Sequence, residues 1–267
     1  MRPSLLLVSG LCAIAHPGAH ADDPDAWCPP AQQRVLARED FNAGLAHWQV
    51  EAHDPRTRVQ PVMHQGRPAL ELHAPAGLSL WWHQPLSGDY ALRFIATPLP
   101  APPEAGPALA GRVSDLNMFW NATEADGSAP HPRNGAFAAY DTLRAYYVGF
   151  GANGNTTTRL RRYGGDGQRP LLDGWADAPE ASSADRQGPM TSATRLRAGE
   201  PVAVQIVSRQ PTAHDPVSQR WWADGHQLFE HREAMPLLSG RFAFRTTASA
   251  WRLEHFEVLA CTTPATP

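Results

Sequence analysis

SDLNMFWN (114–121), YYVGFG (146–151) and TTTRLRRY (156–163) decide the fold. In the first, Leu116, Met118 and Trp120 alternate with Asp115, Asn117, Phe119 and Asn121. In the second, Tyr146, Val148 and Phe150 alternate with Tyr147, Gly149 and Gly151. The third places Thr157, Arg159, Arg161 and Tyr163 on one side and Leu160 on the other. A strand shows its side chains to two faces with period two, so each segment buries one row and offers the other to solvent or ligand. Rows of Arg, Tyr, Asn and Asp beside glycines suit a ligand rich in hydroxyls or carboxylates.

Outward from these segments, β-rich runs recur between turn signals. Strands are predicted near Val59–His64, Ala69–His73, Leu78–Trp82, Tyr90–Ala96, Val202–Arg209, Gln219–Ala223, His226–Glu230, Gly240–Arg245 and Trp251–Leu259. In WWADGHQLF, Asp224-Gly225 separates two runs and predicts a tight hairpin, because both turn positions favour φ > 0. With 26 Pro and 21 Gly, long helices are excluded; a short one is expected around Phe137–Arg144. PLPAPPEAGP (98–107) reads as a loop, and 173–190, rich in Ala, Asp, Ser and Pro, as a long surface loop of the kind that covers a site. The fold class is all-β, an antiparallel two-sheet sandwich of jelly-roll type whose curved sheet makes a groove.

MRPSLLLVSGLCAIAHPGAHA has the form of a cleaved signal peptide: Arg2, an apolar run from Leu5 to Ile14, and the small-x-small site Ala19-His20-Ala21. Residues 1–21 are therefore read as a leader and 22–267 as one domain in a periplasmic or secreted protein. The run is too short to span a membrane. Removal of the leader leaves two cysteines, Cys28 and Cys261, which allow a single pairing in an oxidising compartment.

The net charge of -3 gives no electrostatic case for nucleic acid. All 23 basic residues are Arg, so a lysine base or Schiff base is excluded, and every cation carries a planar fork suited to carboxylates. No serine elbow, His-Glu-x-x-His pattern or P-loop occurs, and no motif requires a cofactor. The acidic loops at 22–25, Glu39-Asp40 and Asp224 offer oxygen ligands for a structural calcium ion, without a diagnostic spacing.

SDLNMFW, YYVGFGANGNTTTRLRRYGG and RPLL, with EDFNAGLAHW and LWWHQPLSGDYALRF before them and GRFAFRTT and WRLEHFEV after, form a pattern over about 41–261. In this pattern the chain resembles an uncharacterised bacterial family of exported concanavalin A-like (lectin/glucanase) domains, akin to the YesU-type proteins of pectin and rhamnogalacturonan use. The resemblance implies the lectin/glucanase sandwich and a carbohydrate context, with no established reaction and no catalytic set. The Glu-x-Asp-x-x-Glu signature of laminarinase-like sandwiches is absent; Glu124-Ala125-Asp126 lacks the last glutamate.

Arg159 and Arg161 are the sharpest constellation: like charges one strand step apart need a neutralising partner, either a protein carboxylate such as Asp115 or a uronate. The catalytic candidates are Arg159, Arg161, Tyr147, Tyr163 and His83, the arginines stabilising an enolate-like charge in β-elimination and the others moving protons. Substrate-binding candidates are Trp81, stacking on a sugar beside His83, with Arg112, Asp115, Asn117, Asn121, Asn153, Asn155, Thr157 and Arg245; Arg162 is secondary. Three roles compete: an enzyme such as a polysaccharide lyase on an acidic glycan, a non-catalytic binding module or lectin, and a structural envelope protein whose groove is filled by its own loops.

Overall fold

The computed structural model describes residues 23–262; the leader read at 1–21 lies outside the described residues. The strands are β1 (Gln33–Glu39), β2 (Trp48–Ala52), β3 (Arg58–His64), β4 (Arg67–Trp82), β5 (Leu86–Ser87), β6 (Tyr90–Leu99), β7 (Leu116–Thr123), β8 (Arg144–Gly151), β9 (Thr157–Gly164), β10 (Leu171–Ala176), β11 (Val202–Ser208), β12 (Val217–Ala223), β13 (His226–Arg232) and β14 (Ser239–Cys261). All named pairings are antiparallel.

Two pairs of expected strands are each one long strand. The segments read at 69–73 and 78–82 are both β4, and those read at 240–245 and 251–259 are both β14. These strands pair with each other along most of their length and pass from one sheet into the other. The corner lies at Ala248, whose φ of 47 interrupts the register between Thr247 and Ser249. Bulges are how a strand changes sheet while keeping its partner. In the first sheet β10, β9, β8, β7, the first half of β14, the second half of β4 and β2 lie in that order. In the second, β13, β12, β11 and β6 continue into the second half of β14, with β1 and the first half of β4 beyond it.

The inner rows are the ones period two assigned. Leu116, Met118, Trp120, Val148, Phe150 and Leu160 meet Leu92, Phe94, Val204, Ile206 and Trp221 in one buried cluster. Phe150 lies 5.3 Å from Trp221, and Trp221 donates from Nε1 to Met118 Sδ at 3.2 Å. Each such side chain contributes about 1.5–3 kcal/mol by leaving water. Cys28 and Cys261 form the disulfide expected from their pairing by elimination, joining the chain across a separation of 233 residues.

The short helix expected around 137–144 is a single 3-10 turn, Phe137–Tyr140, with Leu143 buried after it and β8 beginning at Arg144. The loop expected at 173–190 starts later, because its first residues belong to β10, an edge strand whose apolar run Leu-Leu-Asp-Gly-Trp-Ala is interrupted by the turn-like Asp173-Gly174.

Candidate functional site

The outer face of the first sheet carries two transverse rows, set by strand register. One runs Glu51, Ser79, Arg245, Asn117, Gly149, Arg159, Gly174. The next runs Gln49, Trp81, Ala243, Phe119, Tyr147, Arg161. Polar and small residues dominate the first, aromatic residues the second.

Residues 124–143, between β7 and β8, cross the aromatic row as a strap. Glu51 on β2 anchors it, accepting from Tyr140 Oη at 2.6 Å and the Arg133 amide at 2.9 Å, while Trp81 Nε1 donates to the same carboxylate at 3.0 Å. At the other side Asp141 pairs with Arg169 at 3.1 Å. Beneath the strap Trp81, Phe119, Tyr140 and Tyr163 form a second buried cluster.

Beyond the strap the face is open. A cleft of about 550 Å³ is lined by Arg112, Asp115, Asn117, Phe137, Tyr147, Gly149, Ala152, Asn153, Thr157, Arg159, Arg161, Arg169, Arg245 and Thr247. Most of the candidate residues meet here: Arg159, Arg161 and Tyr147 with Arg112, Asp115, Asn117, Asn153, Thr157 and Arg245. The strap fills the aromatic half of the face and reaches over Arg245 with Gly135, Phe137 and Tyr140, leaving the cleft open beyond them.

Five candidates are placed elsewhere. Trp81 has the expected orientation, opposite Trp82, but is 2% exposed under the strap and is no stacking platform. Tyr163 lies in the same cluster, its phenol without a hydrogen-bond partner. His83 follows the end of β4, exposed, with its amide donating to His47 O at 2.9 Å; it does not line the cleft. Asn121 sits in a bulge of β7 with φ 51, which turns it inward to accept from Tyr90 Oη and to donate to Ser208 Oγ and Leu237 O. Asn155 points to the opposite side, where it holds both backbone groups of Leu196. The secondary member Arg162 pairs with Glu233 at 2.8 Å, outside the cleft.

Arg159 is neutralised by the protein itself, and its partner is not Asp115. Its Nε and Nη2 reach the two oxygens of buried Asp185 at 2.6 Å each, and Glu180 O accepts from Nη2 as well. Both partners lie on the 173–190 loop, which does not line the cleft but holds the Arg159 side chain at its margin. Burial alone would raise the Asp185 carboxyl, but hydrogen bonds from Arg159 and Ser182 hold it below the usual carboxylate range. Asp115 pairs instead with Arg112 at 2.7 Å. Burial raises the Asp115 carboxyl despite Arg112 and the hydrogen bonds from Ser114 and Asn117.

Arg161 and Arg245 line the cleft with no ion pair among the described residues. Arg161 donates from Nη1 to Arg169 O at 3.0 Å; burial, with the Arg159 and Arg169 charges, presses its pKa down. Arg245 is 2% exposed. Its Nη1 donates to Ser79 Oγ at 3.1 Å and Gly135 O at 3.0 Å, whereas its Nε and Nη2 have no partner. The guanidinium lies 4.9 Å from the ring centres of both Phe137 and Tyr140. Tyr147 is 6% exposed, and burial pushes its phenol well above the ordinary tyrosine value although Arg245 and Arg161 act against that.

Sequence reading missed Asp185, Glu51, Phe137 and Arg169. Asp185 had one signal, its place in a loop long enough to cover a site; Arg169 opens the quoted RPLL. Glu51 and Phe137 had none, since their roles come from the strap's path. Among the described residues no cluster of three or more His, Cys, Asp or Glu is placed to hold a metal ion, and no helix is long and apolar enough to cross a membrane.

Comparison with solved structures places the fold. A Bacillus subtilis protein of unknown function with a galectin-like fold aligns with a TM-score of 0.60 at 16% identity, covering 86% of this chain and 97% of that one. A cellulose induced protein aligns with a TM-score of 0.54 at 11% identity, covering 86% of this chain and 100% of its own. Both likenesses establish the lectin-like sandwich. Comparison with curated proteins finds no match. The model of the domain of unknown function DUF6250 matches residues 72–256, which include every strand of the arginine cleft's sheet except β2 and every lining residue. That is well over half of the chain, and the protein belongs to the DUF6250 family.

Proposed function

We propose that the protein is an exported carbohydrate-binding protein whose cleft takes the carboxylate of an acidic, uronate-containing saccharide. The observation that carries this reading is the pair Arg161 and Arg245, two lining cations without a counter-ion among the described residues. An unpaired buried charge costs several kcal/mol, and an anionic ligand with hydrogen-bonding oxygens offsets that cost. Around the cations, Asn117, Asn153, Thr157 and Thr247 offer amides and hydroxyls to a polyhydroxy ligand. The resemblance to YesU-type proteins of pectin use agrees with such a ligand, as does the disulfide with export.

Calorimetric titration with oligogalacturonates, oligoglucuronates and neutral cello-oligosaccharides tests the proposal. Binding confined to the acidic series, weakening with salt, is expected; equal binding of neutral glycans, or no binding at all, would overturn it.

A polysaccharide lyase is the second reading, favoured by Tyr147. Its buried phenol lines the cleft beside the two arginines and is the proton-bearing side chain available to a leaving glycosidic oxygen. Arg161 and Arg245 would stabilise the enolate-like charge, and Asp115 is the lining carboxylate to accept the proton. Ultraviolet absorbance of an unsaturated product separates turnover from binding.

A further inference from the structure

The polar row at the floor of the cleft holds more than unpaired cations. Arg245 and Asn117 are register partners on β14 and β7, and Asn117 is the partner of Gly149 on β8. Asn117 is 3% exposed, and its Nδ2 donates to Asp115 Oδ1 at 3.4 Å, which orients the amide. Its Oδ1 is buried without a donor. Beside it, Nε and Nη2 of Arg245 are donors without an acceptor. Such groups are rare in folded proteins, because each costs about 1–3 kcal/mol when left unmade. Here the residues that carry one acceptor and two donors left unmade among the described residues are register partners, and both line the cleft.

Gly149 packs closely against Asn117. A Cβ there would lie 3.2 Å from Asn117 Oδ1, 3.3 Å from Ala152 Cβ and 3.4 Å from the Tyr147 ring. Its φ is not in the left-handed region, so the backbone does not require glycine at this position. Close approach does: a methyl group there would press on Asn117 Oδ1 and displace the amide by a few tenths of an ångström.

We infer that Arg245, Asn117 and Gly149 form a subsite for a single hydroxy-carboxylate unit, the carboxylate held by the Arg245 fork and an adjacent hydroxyl donating to Asn117 Oδ1. The inference rests on the acidic-saccharide reading and narrows it. One uronate residue carries all the recognised groups, with a carboxylate on the carbon next to one bearing a hydroxyl or ring oxygen. A free monosaccharide therefore suffices as a ligand, and loss of either group weakens it. Sites built to pair a ligand hydroxyl reject the analogue lacking it, since their own polar atoms are then stranded.

The test is titration of the full chain with glucuronate, galacturonate, their methyl esters, the 4-deoxy uronate and glucose, in the wild type and in Gly149→Ala, Asn117→Leu and Arg245→Gln. Wild type binding the free uronates, with esters and the 4-deoxy compound weaker by roughly tenfold or more, is expected. Gly149→Ala should fold with a melting temperature lowered by roughly 2–4 °C and lose uronate affinity by a similar factor, which makes it informative even where Arg245→Gln fails to fold. If oligouronates bind but free uronates do not, or if Gly149→Ala and Asn117→Leu bind uronate as the wild type does, the subsite is wrong while the acidic cleft stands. Failure of every acidic saccharide removes both.

Discussion

Arg159 and Arg161 look alike in the sequence and differ in what faces them. Arg159 spends its fork on Asp185, whereas Arg161 donates to a carbonyl and keeps its charge for the cleft. Arg161→Gln should therefore lower affinity for an acidic oligosaccharide by roughly tenfold, the weight of a charged hydrogen bond, while changing stability by about 0.5 kcal/mol or less. Calorimetry and a melting curve on the same variant check both halves. Asp115 adds a pH dependence. Its raised carboxyl takes up a proton at a higher pH than an ordinary aspartate does, removing the one carboxylate among the lining residues. Affinity for a uronate should rise on acidification and then fall as the ligand carboxylate itself protonates near about pH 3–4. Asp115→Asn should abolish the rising limb in a titration series.

Two connections, more than any strand, shape the site. The strap at 124–143 hangs on Glu51, where three buried donors converge from Trp81, Tyr140 and the Arg133 amide. Glu51→Ala strands all three and should cost about 3 kcal/mol or more, with red-shifted tryptophan emission as Trp81 meets water. The 173–190 loop is tied down by the Arg159–Asp185 pair. Asp185 has a depressed pKa in the folded protein, so its contribution is complete above the unfolded value near about 4 and is lost as pH falls through the folded one. Hydrogen exchange in residues 174–188 should accelerate across that acid window, and Asp185→Asn should show the faster exchange already at neutral pH.

At the scale of the whole molecule, β14 and β4 serve both sheets, and the disulfide joins the segment before β1 to the end of β14. On the chain-entropy account a loop of this length stabilises the fold by about 5.5 kcal/mol. Reduction, or Cys28→Ser with Cys261→Ser, should lower the unfolding free energy by about 2–5 kcal/mol in urea titration without changing strand content by circular dichroism.

Period-two alternation was enough to say which side chains face the core: Met118 against Asn117, Val148 against Tyr147, and Trp82 against Trp81 take the sides their spacing dictates. Cysteine count was enough to name the disulfide. Alternation is a local property of the backbone, so the chain carries it openly. Which outward-facing residues stay open is not local. Trp81 and Tyr163 point outward and are roofed by a strap anchored on β2; Asn121 is turned inward by a bulge; Arg159 is claimed by a carboxylate 26 residues away. Exposure and charge pairing depend on segments distant in sequence meeting in space, and that meeting left Arg161 and Arg245 as the unclaimed cations of the cleft.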